Sequence, residues 1–113
     1  MKTGFYTNPI YLEHDTGSHP ENAKRLRAIL ERLESEDLMG KFKVESGRPA
    51  SSAEIQMLHT EKLISDIEAA AESGAQTLHT PDCVISSQTY NAALHAVGSV
   101  LEAALEVAER RLD

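Results

Sequence analysis

Three side chains able to bind a metal or move a proton fall close together near the start of this sequence: His14, Asp15 and His19. Imidazole and carboxylate are the usual oxygen and nitrogen ligands of zinc, and imidazole titrates near neutral pH. Their spacing matches no closed zinc motif, however, and they sit in a polar stretch that gathers such residues for solvation. His59, His79 and His95 are scattered through the chain. His59 follows an apolar residue in a helical pattern and reads as a packing or helix-end residue. Cys83 stands beside Asp82. A thiol acts as a nucleophile only as its thiolate, which needs a base or a helix dipole. No such partner is identifiable, so Cys83 reads as a small buried apolar residue. Asp82 follows Thr80-Pro81 and is either a turn residue or a substrate contact. Arg25 lies four residues after Glu21, the spacing of an ion pair on a helix surface.

The elements that must position these residues follow from periodicity. Gly4 to Thr7 is β-prone and closed by Asn8-Pro9, a short strand at the start of a sheet. Tyr11 to Ser18 is a polar loop. Pro20 and Glu21 suit the first turn of a helix. Leu26, Ile29, Leu30 and Leu33 give that helix one apolar stripe, with Gly40 as its stop signal. Phe42 and Val44 alternate with charged residues as a second short strand. Ser51 or Ser52 caps the next helical region, which Thr60 breaks in two and Ser73-Gly74 ends. Ala75 to Ser86 reads as a loop. Ser86 or Ser87 then caps the longest helix, which runs to about Arg111. Its apolar positions are Tyr90, Ala93, Leu94, Val97, Leu101, Leu105 and Ala108, and Ala92, Ala93, Ala96 and Gly98 allow close approach by a neighbour. Two short strands interleaved with helices imply parallel pairing in an α/β sheet, yet so small a sheet is marginal. The pattern is that of the first edge of a larger domain.

Composition narrows the function classes. The 113 residues suffice for one domain, and 41% hydrophobic with 26% charged residues is ordinary globular composition. The net charge of −7, without a basic stripe, excludes nucleic acid as the natural partner. A single cysteine permits no internal disulfide and fits a reducing cytoplasm. Met1 to Ile10 has no apolar core of signal-peptide length, and no run approaches a membrane span.

The stretch His14-x4-His19-Pro20-Glu21-x3-Arg25-Leu26-x2-Ile29-x3-Leu33 resembles the N-terminal signature of the histone deacetylase superfamily, which includes acetoin-utilisation deacetylases and acetylpolyamine amidohydrolases. Ala53-Glu54-Ile55, Leu58-His59-Thr60 and Leu63-Ile64-x2-Ile67 look like that family's next helical pair. Asp82-x-Val84-x-Ser86-x2-Thr89-Tyr90-x-Ala92-Ala93-x2-Ala96-x-Gly98 resembles the segment before its active-site histidine pair. The resemblance implies an arginase-like α/β fold and hydrolysis of acetylated amines at a zinc ion held by two Asp and one His. It implies that the zinc ligands, the histidine pair and the oxyanion-stabilising Tyr lie beyond this sequence, which holds no adjacent histidines and no Asp-x-His motif. It makes Asp82 and His19 residues of the substrate rim and Arg25 an internal arginine.

The expectation is therefore an α/β chain, mostly helical with about two short strands, forming the truncated edge of an arginase/deacetylase-like parallel sheet across residues 1–113. It is expected to carry no catalytic residue, metal or cofactor of its own, zinc belonging to a full-length member. It is expected to self-associate, most simply as a dimer through the Ser87–Leu112 helix. The alternative is a deacetylase segment completed by a C-terminal complementing chain.

Overall fold

The computed structural model describes residues 2–113. It opens with β1 (Gly4–Tyr6), a 3-10 turn over Pro9–Glu13 and helix α1 (Ala23–Ser35). A 3-10 turn over Met39–Lys41 leads into β2 (Lys43–Glu45). Helices α2 (Ser52–Gln56) and α3 (Glu61–Ser73), strands β3 (Thr77–Leu78) and β4 (Thr80–Val84) and helix α4 (Thr89–Ala108) complete it. β1 and β2 pair in parallel, Phe5 opposite Val44, with α1 as the crossover between them. This is the βαβ unit that interleaved strands and helices predict.

Local chemistry sets most boundaries, and some differ from expectation. α1 begins not at Pro20 but after Asn22, whose side chain accepts the Lys24 N–H. It ends at Ser35, with Asp37 just beyond in the left-handed region at φ 52°, and the stop is not made by Gly40. Thr60 breaks the α2–α3 region by capping α3, and Gly74, at φ 76°, closes it. α2 carries a full capping box between Ser51 and Glu54. α4 starts one or two residues later than the serine caps suggest. Gln88 is its N-cap without a side-chain bond, while Thr89 Oγ1 accepts the Ser86 N–H at 2.8 Å.

Ala75 to Ser86 is not simply a loop. β3 and β4 form an antiparallel hairpin turned by His79 at φ 63°.

α4 is the spine. The segment Gly47–Ala50 crosses it where Gly98 and Ser99 are buried, and the Ala50 N–H donates to Leu94 O at 2.8 Å. A Cβ on Gly98 would overlap the Arg48 carbonyl, so this small residue permits the crossing. Tyr11 ties the first 3-10 turn to the same helix, its hydroxyl 2.7 Å from Ser99 Oγ and 3.1 Å from His95 O. Beyond α4 the chain folds back. Leu112 is 3% exposed against Gly4, and the Asp113 N–H donates to Lys2 O at 3.2 Å.

The opposite face of α4 is bare. Val97, Val100, Leu105 and Val107 are exposed, and no large side chain among the described residues is fully buried. The α1 stripe is only half covered, with Ile29 exposed. The molecule is a slab of 43 × 32 × 17 Å with a radius of gyration of 15.7 Å. A compact chain of this length has a radius near 13 Å. The buried apolar residues among those described are few and mostly small: Ala50, Ile64, Ala71, Ile85, Ala92 and Leu112. No helix among the described residues is long and apolar enough to cross a membrane.

Candidate functional site

The polar loop between the first 3-10 turn and α1 is held down residue by residue. The Asp15 side chain accepts the Gly17 N–H at 2.9 Å, an Asx turn that spends its carboxylate locally. The buried Thr16 hydroxyl donates to Glu21 O at 2.5 Å. His14 Nδ1 lies 2.8 Å from Thr89 Oγ1, and the Asp15 N–H donates to Ser86 Oγ at 3.0 Å. These bonds dock the loop on the segment that leads into α4.

The loop ends at His19, whose Nε2 lies 2.9 Å from Asp82 Oδ1 on β4. The two residues that the resemblance assigns to a substrate rim thus meet across 63 positions of sequence. The bond to Asp82 raises the His19 pKa above the ordinary imidazole value. Between this loop, α1 and β4 lies an open hollow of about 550 Å³, lined by Tyr11, His14, Thr16, His19, Arg25, Asp82 and Cys83 among others.

Arg25 borders this hollow, largely exposed and paired with Glu21 one helical turn earlier. Cys83 is exposed and faces the same hollow, which corrects its reading as a buried apolar residue. It lies on a two-stranded hairpin, where nothing covers the face it presents. The remaining histidines stay apart from the hollow. His59 is exposed after α2, His79 makes the hairpin turn, and His95 Nδ1 lies 2.9 Å from its own helix at Asn91 O.

The residue that sequence reasoning missed is Thr89. Its hydroxyl joins the polar loop to α4 through His14 and Ser86, and only its place in the third motif block marks it. A second, apolar notch lies between α3 and α4, lined by Leu63, Ile64, Ile67, Tyr90, Leu94 and Val97 among others. Burial there raises the Tyr90 pKa.

The family model of the histone deacetylase domain matches residues 19–113. The chain belongs to the histone deacetylase family. It is 33% identical over 85 residues to Histone deacetylase 8 of Arabidopsis thaliana, a match covering 75% of this chain and 22% of that protein. It is 38% identical over 64 residues to human Histone deacetylase 9, covering 52% of this chain and 6% of that protein. The fold is similar to the crystal structure of the HDA15 HD domain at a TM-score of 0.91 and 23% identity, over 99% of this chain and 33% of that one. This deacetylase-family chain therefore spans a minor part of the length of these relatives.

Deacetylase chemistry in this family implies a zinc ion, and the described residues do not fit one. His14, Asp15 and His19 are each committed to separate partners, Thr89, Gly17 and Asp82. Among the described residues no three His, Cys, Asp or Glu side chains gather where they could hold a metal.

Proposed function

We propose that this chain is the rim-bearing segment of a deacetylase-type hydrolase domain, without a catalytic centre of its own. The observation that carries the reading is the His19–Asp82 bond at the mouth of an open hollow. It brings the two rim residues of the resemblance together on a chain whose fold matches a third of a solved deacetylase-family domain. Asp82 is 93% exposed and offers its carboxylate to a substrate N–H. Arg25 borders the same hollow, largely exposed. The complete domain would hydrolyse an acetylated amine, acetyl-lysine or an acetylpolyamine, with zinc supplied by residues that this chain does not contain.

The test is reassembly. The purified 113-residue chain is assayed on an acetylated lysine peptide and on an acetylpolyamine with added zinc, alone and with a separately expressed C-terminal portion of a deacetylase domain. No turnover alone and turnover on mixing is the expected result. Turnover by the chain alone would sink the proposal.

A second reading has its own support. Ala93, Val97, Val100, Ala104 and Val107 recur at alternating steps of four and three along exposed positions of α4. That is the repeat of a coiled-coil seam, and it favours a non-catalytic homodimer through the Ser87–Leu112 helix. Light scattering across a concentration series decides it, a persistent monomer being the contrary result. The single thiol of Cys83 fits a cytoplasmic setting for either form, which fractionation would test.

A further inference from the structure

His19 and Asp82 contribute unequally to their bond. The His19 side chain is 21% exposed and Asp82 93%. A largely covered ring thus reaches an almost fully exposed carboxylate. Both ring nitrogens are occupied, because the Glu21 N–H donates to Nδ1 at 3.1 Å while Nε2 meets Asp82 Oδ1. An N–H aimed at Nδ1 requires a lone pair there. The neutral ring therefore carries its proton on Nε2 and donates it to Asp82. Among the described residues Asp82 Oδ2 has no hydrogen-bond partner, and the side chain is open to solvent. On a two-stranded hairpin, such a carboxylate would otherwise sample several rotamers.

We propose that His19 is a positioning residue, holding the Asp82 carboxylate in one orientation over the hollow so that its second oxygen remains available to an N–H donor of the substrate. This rests on reading Asp82 as a rim contact. His19 itself does not touch the substrate. The groups around the ring fit the role. Glu21 and Arg25 of the α1 end are paired with each other, and His14 is engaged with Thr89. Tyr11 donates into α4, and β4 presents Asp82 and Cys83. Asp82 is thus the anionic partner bonded to the ring. Protonation of the ring must occur at Nδ1 and costs the Glu21 N–H its acceptor, which works against the pull of Asp82.

The experiment is NMR on the 113-residue chain, reading the Hα–Hβ couplings of Asp82 at pH 8. One large and one small coupling, the mark of a single rotamer, are expected in the parent. His19→Ala should average them, and His19→Gln, whose amide N–H can reach the same oxygen, should restore the inequality. Backbone amide spectra establish that each variant keeps the fold. Averaged couplings in the parent, or unequal couplings surviving in a folded His19→Ala chain, overturn the proposal. Asp82→Asn, at an exposed position, gives an independent reading. The Glu21 amide shift should titrate together with the His19 ring, and their shared midpoint should fall in Asp82→Asn; an unmoved midpoint overturns the pair. The rim reading fails separately, if Asp82→Ala leaves hydrolysis by the reassembled domain unchanged while the couplings stand.

Discussion

Gly98 is the residue with least freedom to change. The carbonyl of Arg48 passes over it so closely that any Cβ overlaps a backbone atom, and backbone cannot swing aside as a side-chain tip can. Alanine favours a helix by about 1 kcal/mol over glycine. Overpacking in a tight crossing costs roughly 1–3 kcal/mol. Gly98→Ala is therefore expected to lower the urea midpoint despite its better propensity. Glu54 makes the clearest pH prediction. It accepts two bonds from Arg48, at 2.6 and 2.8 Å, and one from the Ser51 N–H at 2.7 Å. The Arg48 bonds come first among the causes that hold its carboxyl down to about 2, from an ordinary 4.5. A depressed carboxyl contributes stability that is full above its unfolded value and lost as pH falls toward its folded one. Melting temperature should thus drop between about pH 4.5 and pH 2, and Glu54→Gln should flatten that part of the curve. At this scale the sequence was partly legible. His19 and Asp82 were marked by motif, but their bond was not, because nothing local links positions 63 apart. Cys83 misled, since burial depends on what covers a strand and not on residue type.

The capped starts of α2 and α3 were readable from type and spacing, whereas the Asn22 cap of α1 was passed over for Pro20. Thr60 and Gly74 bracket α3, with the Thr60 hydroxyl accepting the Leu63 N–H at 3.2 Å and Gly74 in the left-handed region. Thr60→Ala should cost about 1 kcal/mol and be visible as a lower thermal midpoint without loss of fold. The β3–β4 hairpin was not readable, for physical reasons. Its turn places His79, not glycine or asparagine, at positive φ, and Pro81 lies within β4. Proline is tolerated in a strand only where no ladder partner needs its N–H, and a two-stranded hairpin provides such an edge. The start of α4 was misjudged for a related reason. Thr89 bonds backward to Ser86 from inside the helix, so the serines before it are not the cap.

The whole molecule is a thin slab whose longest helix is covered on one face only. That the chain is the edge of a larger α/β arrangement was legible, because two strands cannot make a stable sheet and α4 carries more apolar residues than one interface needs. What covers the bare face was not legible, since a stripe of Val and Ala suits a strand layer or a second helix equally. Val100 is 68% exposed at the centre of that stripe. If copies pair there, Val100→Glu should give a monomer by light scattering at concentrations where the parent is a dimer, with α4 helicity retained by circular dichroism.

The contact between Lys2 and Asp113 has a kinetic consequence. It joins residues 111 positions apart, nearly the full length of the chain. Closing a loop costs entropy that grows with the logarithm of its length, so this is a costlier closure than any shorter contact among the described residues. It should form after the helices and the β1–β2 crossover and reopen before them. In native-state hydrogen exchange the Asp113 amide should report the lowest opening free energy of any bonded amide, while Ala50, clasped to the middle of α4, reports one of the highest.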